Sequence, residues 1–157
     1  MKAKRNSIPL FCTAALLTLM WSGIAPAGEE PSPSTKQKPR VIVNPSVPDT
    51  VLEPADLRAI YAGRKTAWND GSRIKLAVLR TGKCHETFLA RFLRKTPSQF
   101  LVYWRKRIFA GHGRAPKIME SESKMLEYVR STKGAIGYLC REPVKGTREV
   151  HIRGTAK

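Results

Sequence analysis

Between Arg73 and Leu93 the chain passes from a short apolar stretch, RIKLAVL, through the turn Arg80-Thr81-Gly82-Lys83. It then enters a segment whose Phe88, Leu89, Phe92 and Leu93 fall on one side of a helix. A strand that hands the chain directly to an amphipathic helix must bury the helix's apolar stripe against the sheet it has just left. The expectation is therefore an α/β layer and not separate helical and sheet halves. The same turn leaves the first backbone N–H groups of the helix unpaired and facing outward beside a guanidinium, which is a seat for an anion. Arg80, Thr81, Gly82, Lys83 and Cys84 are accordingly the candidate ligand-binding residues.

The flanking sequence repeats this alternation. Val41-Ile42-Val43 reads as a strand halted by Asn44-Pro45, with Pro48-Asp49 continuing an exposed loop. A helix opens around Leu52 to Leu57, with Pro54 at its first position and Asp56 in its first turn; Leu57, Ile60 and Tyr61 form its stripe and Gly63 ends it. Trp68-Asn69-Asp70-Gly71 is a turn before the strand Ile74 to Leu79. Thr96-Pro97-Ser98-Gln99 predicts a capped helix start, with Phe100, Leu101, Trp104 and Ile108 as its core face. Gly111 to Arg114 is a glycine-flanked loop leading to the run Lys117 to Met119. Ser121 caps a helix facing inward through Met125, Leu126 and Val129, and Lys133-Gly134 closes it. Ala135 to Leu139 and Arg148 to Arg153 read as further strands. The predicted architecture is α/β, a single domain over residues 40–157, with a mixed sheet flanked by about four helices.

Ahead of that domain, Lys2, Lys4 and Arg5 precede an apolar run from Ile8 to Trp21, closed by Ala25-Pro26-Ala27. This is the pattern of a secretory signal peptide over residues 1–27, and the Pro- and Ser-rich residues 28–39 read as a linker. Nothing after the leader is apolar for long enough to span a membrane, so the expected location is periplasmic or secreted. The formal net charge of +17 includes three leader cations and no leader acid, leaving 17 − 3 = +14. No Asp or Glu lies between Glu86 and Glu120, where Arg105, Lys106 and Arg107 form a candidate polyanion face. Export makes nucleic acid a poor partner for that face and acidic lipid or polysaccharide a better one. Of three cysteines, Cys12 falls in the leader, and whether Cys84 and Cys140 form a disulfide stays open, since spacing alone cannot bring two Cα atoms together.

The sequence offers little to chemistry. Cys84-His85-Glu86 are neighbours that cannot easily converge on one ion, no CxxC or HExxH spacing occurs, and His112 and His151 are distant in the chain. Neither Ser98 nor Ser121 sits in a nucleophile elbow. No catalytic residue, no metal site and no cofactor is expected.

Five pieces in order, VIVNP, LEPADLRAIYAGRKTAWNDG, LAVLRTG, TPSQFLVYWRKRIFAGHGRAPK and KGAIGYL, resemble small exported relatives of phosphate ABC transporter substrate-binding proteins. The resemblance runs from about Val41 to Leu139 and implies one lobe of a type II periplasmic-binding fold. It also implies a non-catalytic role, phosphate or a similar oxyanion as ligand, and an envelope or transporter partner. In that family the phosphate is enclosed between two lobes, so a homodimer would be one way to supply the second. One family contribution is an arginine followed by a Ser-Gly-Thr turn at a helix N-terminus. Arg80 keeps the arginine, whereas Cys84-His85-Glu86 stands in place of Ser-Gly-Thr. Glu86 adds a like charge and removes a hydroxyl donor, which disfavours tight capture of an anion.

Overall fold

The computed structural model describes residues 38–142 and 145–154. The leader and most of the linker expected from sequence lie outside the described residues. The chain forms β1 (Arg40–Val43), β2 (Val51–Leu52), α1 (Pro54–Tyr61), β3 (Lys75–Leu79), α2 (Lys83–Phe88), α3 (Pro97–Phe109), β4 (Lys117–Met119), α4 (Glu122–Ser131), β5 (Ala135–Leu139) and β6 (Arg148–Ile152). A π-helical turn over Leu89–Leu93 prolongs α2 and ends at Arg94, the one non-glycine residue with positive φ among those described.

The strands make one sheet in the order β2-β6-β1-β5-β3-β4. β1 runs antiparallel to both β5 and β6, while β3 is parallel to β5 and to β4. The sheet is therefore mixed, as expected. β2 was not legible from the sequence: Leu52 was expected to open the first helix, but with Val51 it becomes strand by pairing with His151 and Ile152 of β6, and the helix starts at Pro54.

β5 shows how the layers arise. Successive residues on a strand face opposite sides. A Cβ on Gly137 would collide with Met125 and Val129 of α4, so α4 covers that side as closely as a bare backbone allows. Next to it, Tyr138 points the other way and stacks on Phe88 of α2, with ring centroids 3.7 Å apart and planes 5° from parallel. Tyr61 of α1 lies 4.8 Å from Phe88. One helix on one face, with α1, α2 and α3 on the other, completes a single three-layer lobe around a core in which Tyr61, Phe88, Met125 and Tyr138 are fully buried. Burial of each such side chain is worth roughly 1.5–3 kcal/mol, far more than any exposed ion pair on this molecule.

Helix ends explain much of the sequence pattern. Thr96 and Gln99 form the reciprocal capping box at the start of α3, and Ser121 accepts from Lys124 N–H at the start of α4. α3 in turn caps α1: Trp104 Nε1 donates to Tyr61 O, Tyr103 Oη to Ala62 O, and Arg107 Nη2 to Gly63 O, at 3.2, 2.8 and 3.1 Å. These are the carbonyls that the end of a helix leaves unsatisfied. Gly63 is required there twice over, since its φ is +66° and a Cβ would strike the Trp104 ring. Asn44 does the same for α4, its Nδ2 donating to Val129 O and Arg130 O, both at 2.8 Å. Trp68 Nε1 donates to Gly134 O at 3.0 Å, which docks the Trp68–Gly71 turn against the start of β5.

Two sequence expectations for α3 need correction. Phe100 and Trp104 are buried, but Leu101 and Ile108 are 49% and 47% exposed. The inner face follows the 100, 103, 104, 107 spacing, so Tyr103 and Arg107 take the inward positions that Leu101 and Ile108 were expected to hold.

Candidate functional site

The strand carboxyl ends are where an open α/β sheet places ligands. Here β3, β4 and β5 run parallel and deliver Arg80, Glu120 and Cys140 to one edge of the sheet. Arg80 follows the last residue of β3, and its guanidinium grips Glu120, which follows the last residue of β4. Nε bonds to Oε2 at 2.7 Å and Nη2 to Oε1 at 2.5 Å. The Glu120 carboxyl is held below its usual range, chiefly by the hydrogen bond from Arg80. Glu86, the acid nearest to Arg80 along the chain, lies instead 3.7 Å from Lys83 on its own helix, one turn away. Register explains the difference: neighbouring parallel strands end side by side, and Leu79 pairs with Met119, so the residues after them meet.

The other candidates of the turn are present but not convergent. Thr81 and Gly82 are exposed, and Gly82 precedes α2 with φ +104° and supplies no side-chain cap. Lys83 points into solvent, 90% exposed. Cys84, at the second residue of α2, is joined to Cys140 beyond β5, their Cα atoms 5.6 Å apart. The link fastens the start of α2, which follows β3, to the end of the neighbouring strand β5. Glu122, in the first turn of α4, accepts from the N–H groups of Cys140 at 3.0 Å and Arg141 at 3.3 Å. So the chain's own acids meet several donors at this end of the strands: Glu120 meets Arg80, and Glu122 meets two backbone N–H groups. Neither acid was singled out from sequence, because each is placed by a strand or helix far from Arg80 along the chain.

His85 is not part of any open site. It is 4% exposed, its Nδ1 lies 2.5 Å from the Tyr138 hydroxyl, and that hydroxyl also accepts from Leu79 N–H at 3.0 Å. Burial pushes its pKa down, against a smaller upward pull from Glu86. No cluster of three or more His, Cys, Asp or Glu residues suited to a metal occurs among the described residues. Arg105 and Lys106 are exposed on α3, but Arg107 is turned inward, bonded to Gly63 O and set over the Trp104 ring at 6.0 Å. The three cations therefore do not make one face.

No family model matches the sequence, and no curated protein matches it. Solved structures do. An ABC-type phosphate transport receptor from Vibrio cholerae superposes with a TM-score of 0.56 at 16% identity, over 76% of this chain and 47% of that one. The fold is that of the phosphate ABC transporter substrate-binding proteins. A Clostridium perfringens structure described as of this kind, with bound phosphate, gives 0.59 at 16% identity over 76% and 46%, and PstS from Borrelia burgdorferi gives 0.57 at 16% over 76% and 49%. The chain spans about half the length of each of these substrate-binding proteins. At this identity the likeness is one of fold, and it agrees with the single-lobe architecture read from the sequence. Among the described residues no helix is long and apolar enough to cross a membrane.

Proposed function

We propose that this chain is an exported, non-catalytic binding module of the substrate-binding-protein kind. It takes phosphate or a similar oxyanion weakly at Arg80, in competition with Glu120. The observation that carries this reading is the Arg80–Glu120 pair at the carboxyl ends of adjacent parallel strands. A planar guanidinium presents a paired donor edge that fits a carboxylate or a phosphate equally, so a carboxylate seated there marks a place an oxyanion fits. The pair is solvent-exposed, its side chains 58% and 64% accessible, so a competing anion can reach it. A closed, tight site needs a second lobe, from a second copy of the chain or from a transporter partner; half of a cleft leaves the ligand hydrated. Calorimetric titration with phosphate and with sulfate tests the reading. Glu120→Gln is expected to bind roughly tenfold more tightly than the unaltered protein and Arg80→Ala not at all. If Glu120→Gln takes up neither anion at millimolar concentration, or if Arg80→Ala binds as well as the unaltered protein, the reading fails.

A second reading rests on the outer face of α3. Leu101, Val102, Ile108 and Phe109 are exposed there, Phe109 at 91%, with Arg105 and Lys106 among them. Apolar side chains interleaved with cations suit an anionic envelope surface, the cations meeting lipid phosphates and Phe109 entering the acyl boundary. Flotation with vesicles containing phosphatidylglycerol measures this directly. The expected result is retention that salt weakens and that Arg105→Glu with Lys106→Glu abolishes, with Arg80→Ala unaffected; retention indifferent to salt removes the reading.

A further inference from the structure

The opposite end of the same strands carries a different feature. Where β3 and β4 begin, a cleft of about 350 Å³ opens between them, the end of α1 and the loop that follows α3. Its rim is cationic: Arg73 and Lys75 come from the entry to β3, Arg114 from the glycine-flanked loop, Lys117 from the first residue of β4, and Lys65 from beyond α1. No Asp or Glu lines it. Lys65 is paired with Asp56 at 3.2 Å, but Arg73, Lys75, Arg114 and Lys117 make no ion pair with any described residue. Its floor is apolar, with Ile74, Leu76 and Trp104 on it, and Tyr128 of α4 joins the lining from the other face of the sheet.

Four cations around one concavity, none paired with an acid among the described residues, repel each other, and low-dielectric walls concentrate their field into the cleft. No side-chain hydrogen bond or ion pair to a described residue holds any of the four in place. They come as two pairs distant in sequence, Arg73 with Lys75 and Arg114 with Lys117, and the pairs are brought together by the parallel pairing of β3 with β4 and the turn at Gly113, whose φ is +98°. The site is also separate from Arg80. The cleft lining reaches Leu76 of β3 and Lys117 of β4, and the residues from there to Arg80 and Glu120, at about 3.3 Å each, set the two sites roughly 10–13 Å apart.

We propose that this cleft is a second anion site, and that its ligand carries several oxyanion groups close together: linked phosphates, or a short sulfated sugar. A single phosphate would leave two or more of the four cations unmatched. A ligand bearing three or more negative charges matches them, and a compact body between its charges rests on the apolar floor. This site stands independently of the reading given to Arg80.

Calorimetry with three probes decides it: inorganic tripolyphosphate, a sulfated heparin disaccharide, and orthophosphate, each at low salt. Tripolyphosphate or the sulfated disaccharide is expected to bind at least about tenfold more tightly than orthophosphate, and whichever of the two binds identifies the source of the charge. The double substitutions Arg73→Gln with Lys75→Gln, and Arg114→Gln with Lys117→Gln, are each expected to weaken that binding by roughly tenfold or more, while Arg80→Ala leaves it unchanged. Arg105→Gln with Lys106→Gln, which removes equal charge from the outside of α3, is the control and is expected to have a much smaller effect. The proposal is overturned if neither polyanion binds more tightly than about 1 mM, or if the α3 control weakens binding as much as the cleft substitutions do. Loss of phosphate binding in Arg80→Ala with tripolyphosphate binding intact would separate the two sites.

Discussion

Breaking the Cys84–Cys140 link is the perturbation whose size follows most directly from the structure. The bond closes a loop of sequence separation 56. Chain-entropy scaling gives roughly 3 kcal/mol for a 15-residue loop and roughly 4.7 kcal/mol for a 100-residue one, so about 4 kcal/mol applies here. A second contribution has the same sign. Cys140 is 6% exposed and its N–H donates to Glu122, so releasing the bond frees the end of β5 from α2 while leaving a buried sulfur without its partner. For a domain of this size a loss of that order lowers the melting temperature by roughly 10–20 °C. Urea unfolding followed by far-UV circular dichroism, with and without dithiothreitol, measures it. Cys84→Ala with Cys140→Ala, unfolded without reductant, is expected to match the reduced protein. Peptide mapping after alkylation without reduction is expected to leave both positions unlabelled. A change below about 1 kcal/mol on reduction, or labelling of either cysteine in the unreduced protein, would refute the reasoning.

Three further outcomes are expected. Gly137→Ala pushes a methyl group into Met125 and Val129 of α4 and should destabilise the fold by about 1–3 kcal/mol in the same unfolding assay. His85 has its pKa lowered in the folded chain by burial, so the unfolded state binds the proton first as pH falls below 6.5. Stability should therefore be highest above that pH and decline on acidification toward the lowered folded value, and a His85→Gln variant should lose that component of the melting-temperature profile between about pH 7.5 and 5. Thr96→Ala removes an exposed cap from α3 and should cost about 1 kcal/mol, with Thr96→Ser restoring most of it.

The segments that resembled a family turn out to be the residues that join elements together. Asn44 of VIVNP caps α4, Gly63 of IYAGR admits Trp104, Trp68 of WNDG holds Gly134, and Gly137 of GAIGY admits α4. Each is a backbone or capping requirement of the fold, so the pattern carried the architecture and said little about ligand. Arg80 was legible because an arginine after a strand and before a helix is a local signal. Glu120 and Glu122 were not, because their relation to the turn exists only once β3 lies beside β4 and α4 packs next to β5. The misassigned face of α3 has a similar cause: Phe100, Leu101, Trp104 and Ile108 satisfy a helical spacing, but so do Phe100, Tyr103, Trp104 and Arg107, and the carbonyl ends of α1 selected the second set.

By itself the sequence determined the alternation of strands and helices, the caps at Thr96 and Ser121, the cationic stretch between Glu86 and Glu120, and hence an α/β lobe with a basic surface. These follow from neighbours a few residues apart, where apolar spacing and turn chemistry act. Tertiary structure alone decided which charges meet: that Arg80 faces Glu120, that Cys84 reaches Cys140, and that Arg73, Lys75, Arg114 and Lys117 surround one cleft with no acid in its lining. Charge interactions depend on distance in space, and in a sheet that distance is set by strand order and register, which no local pattern encodes.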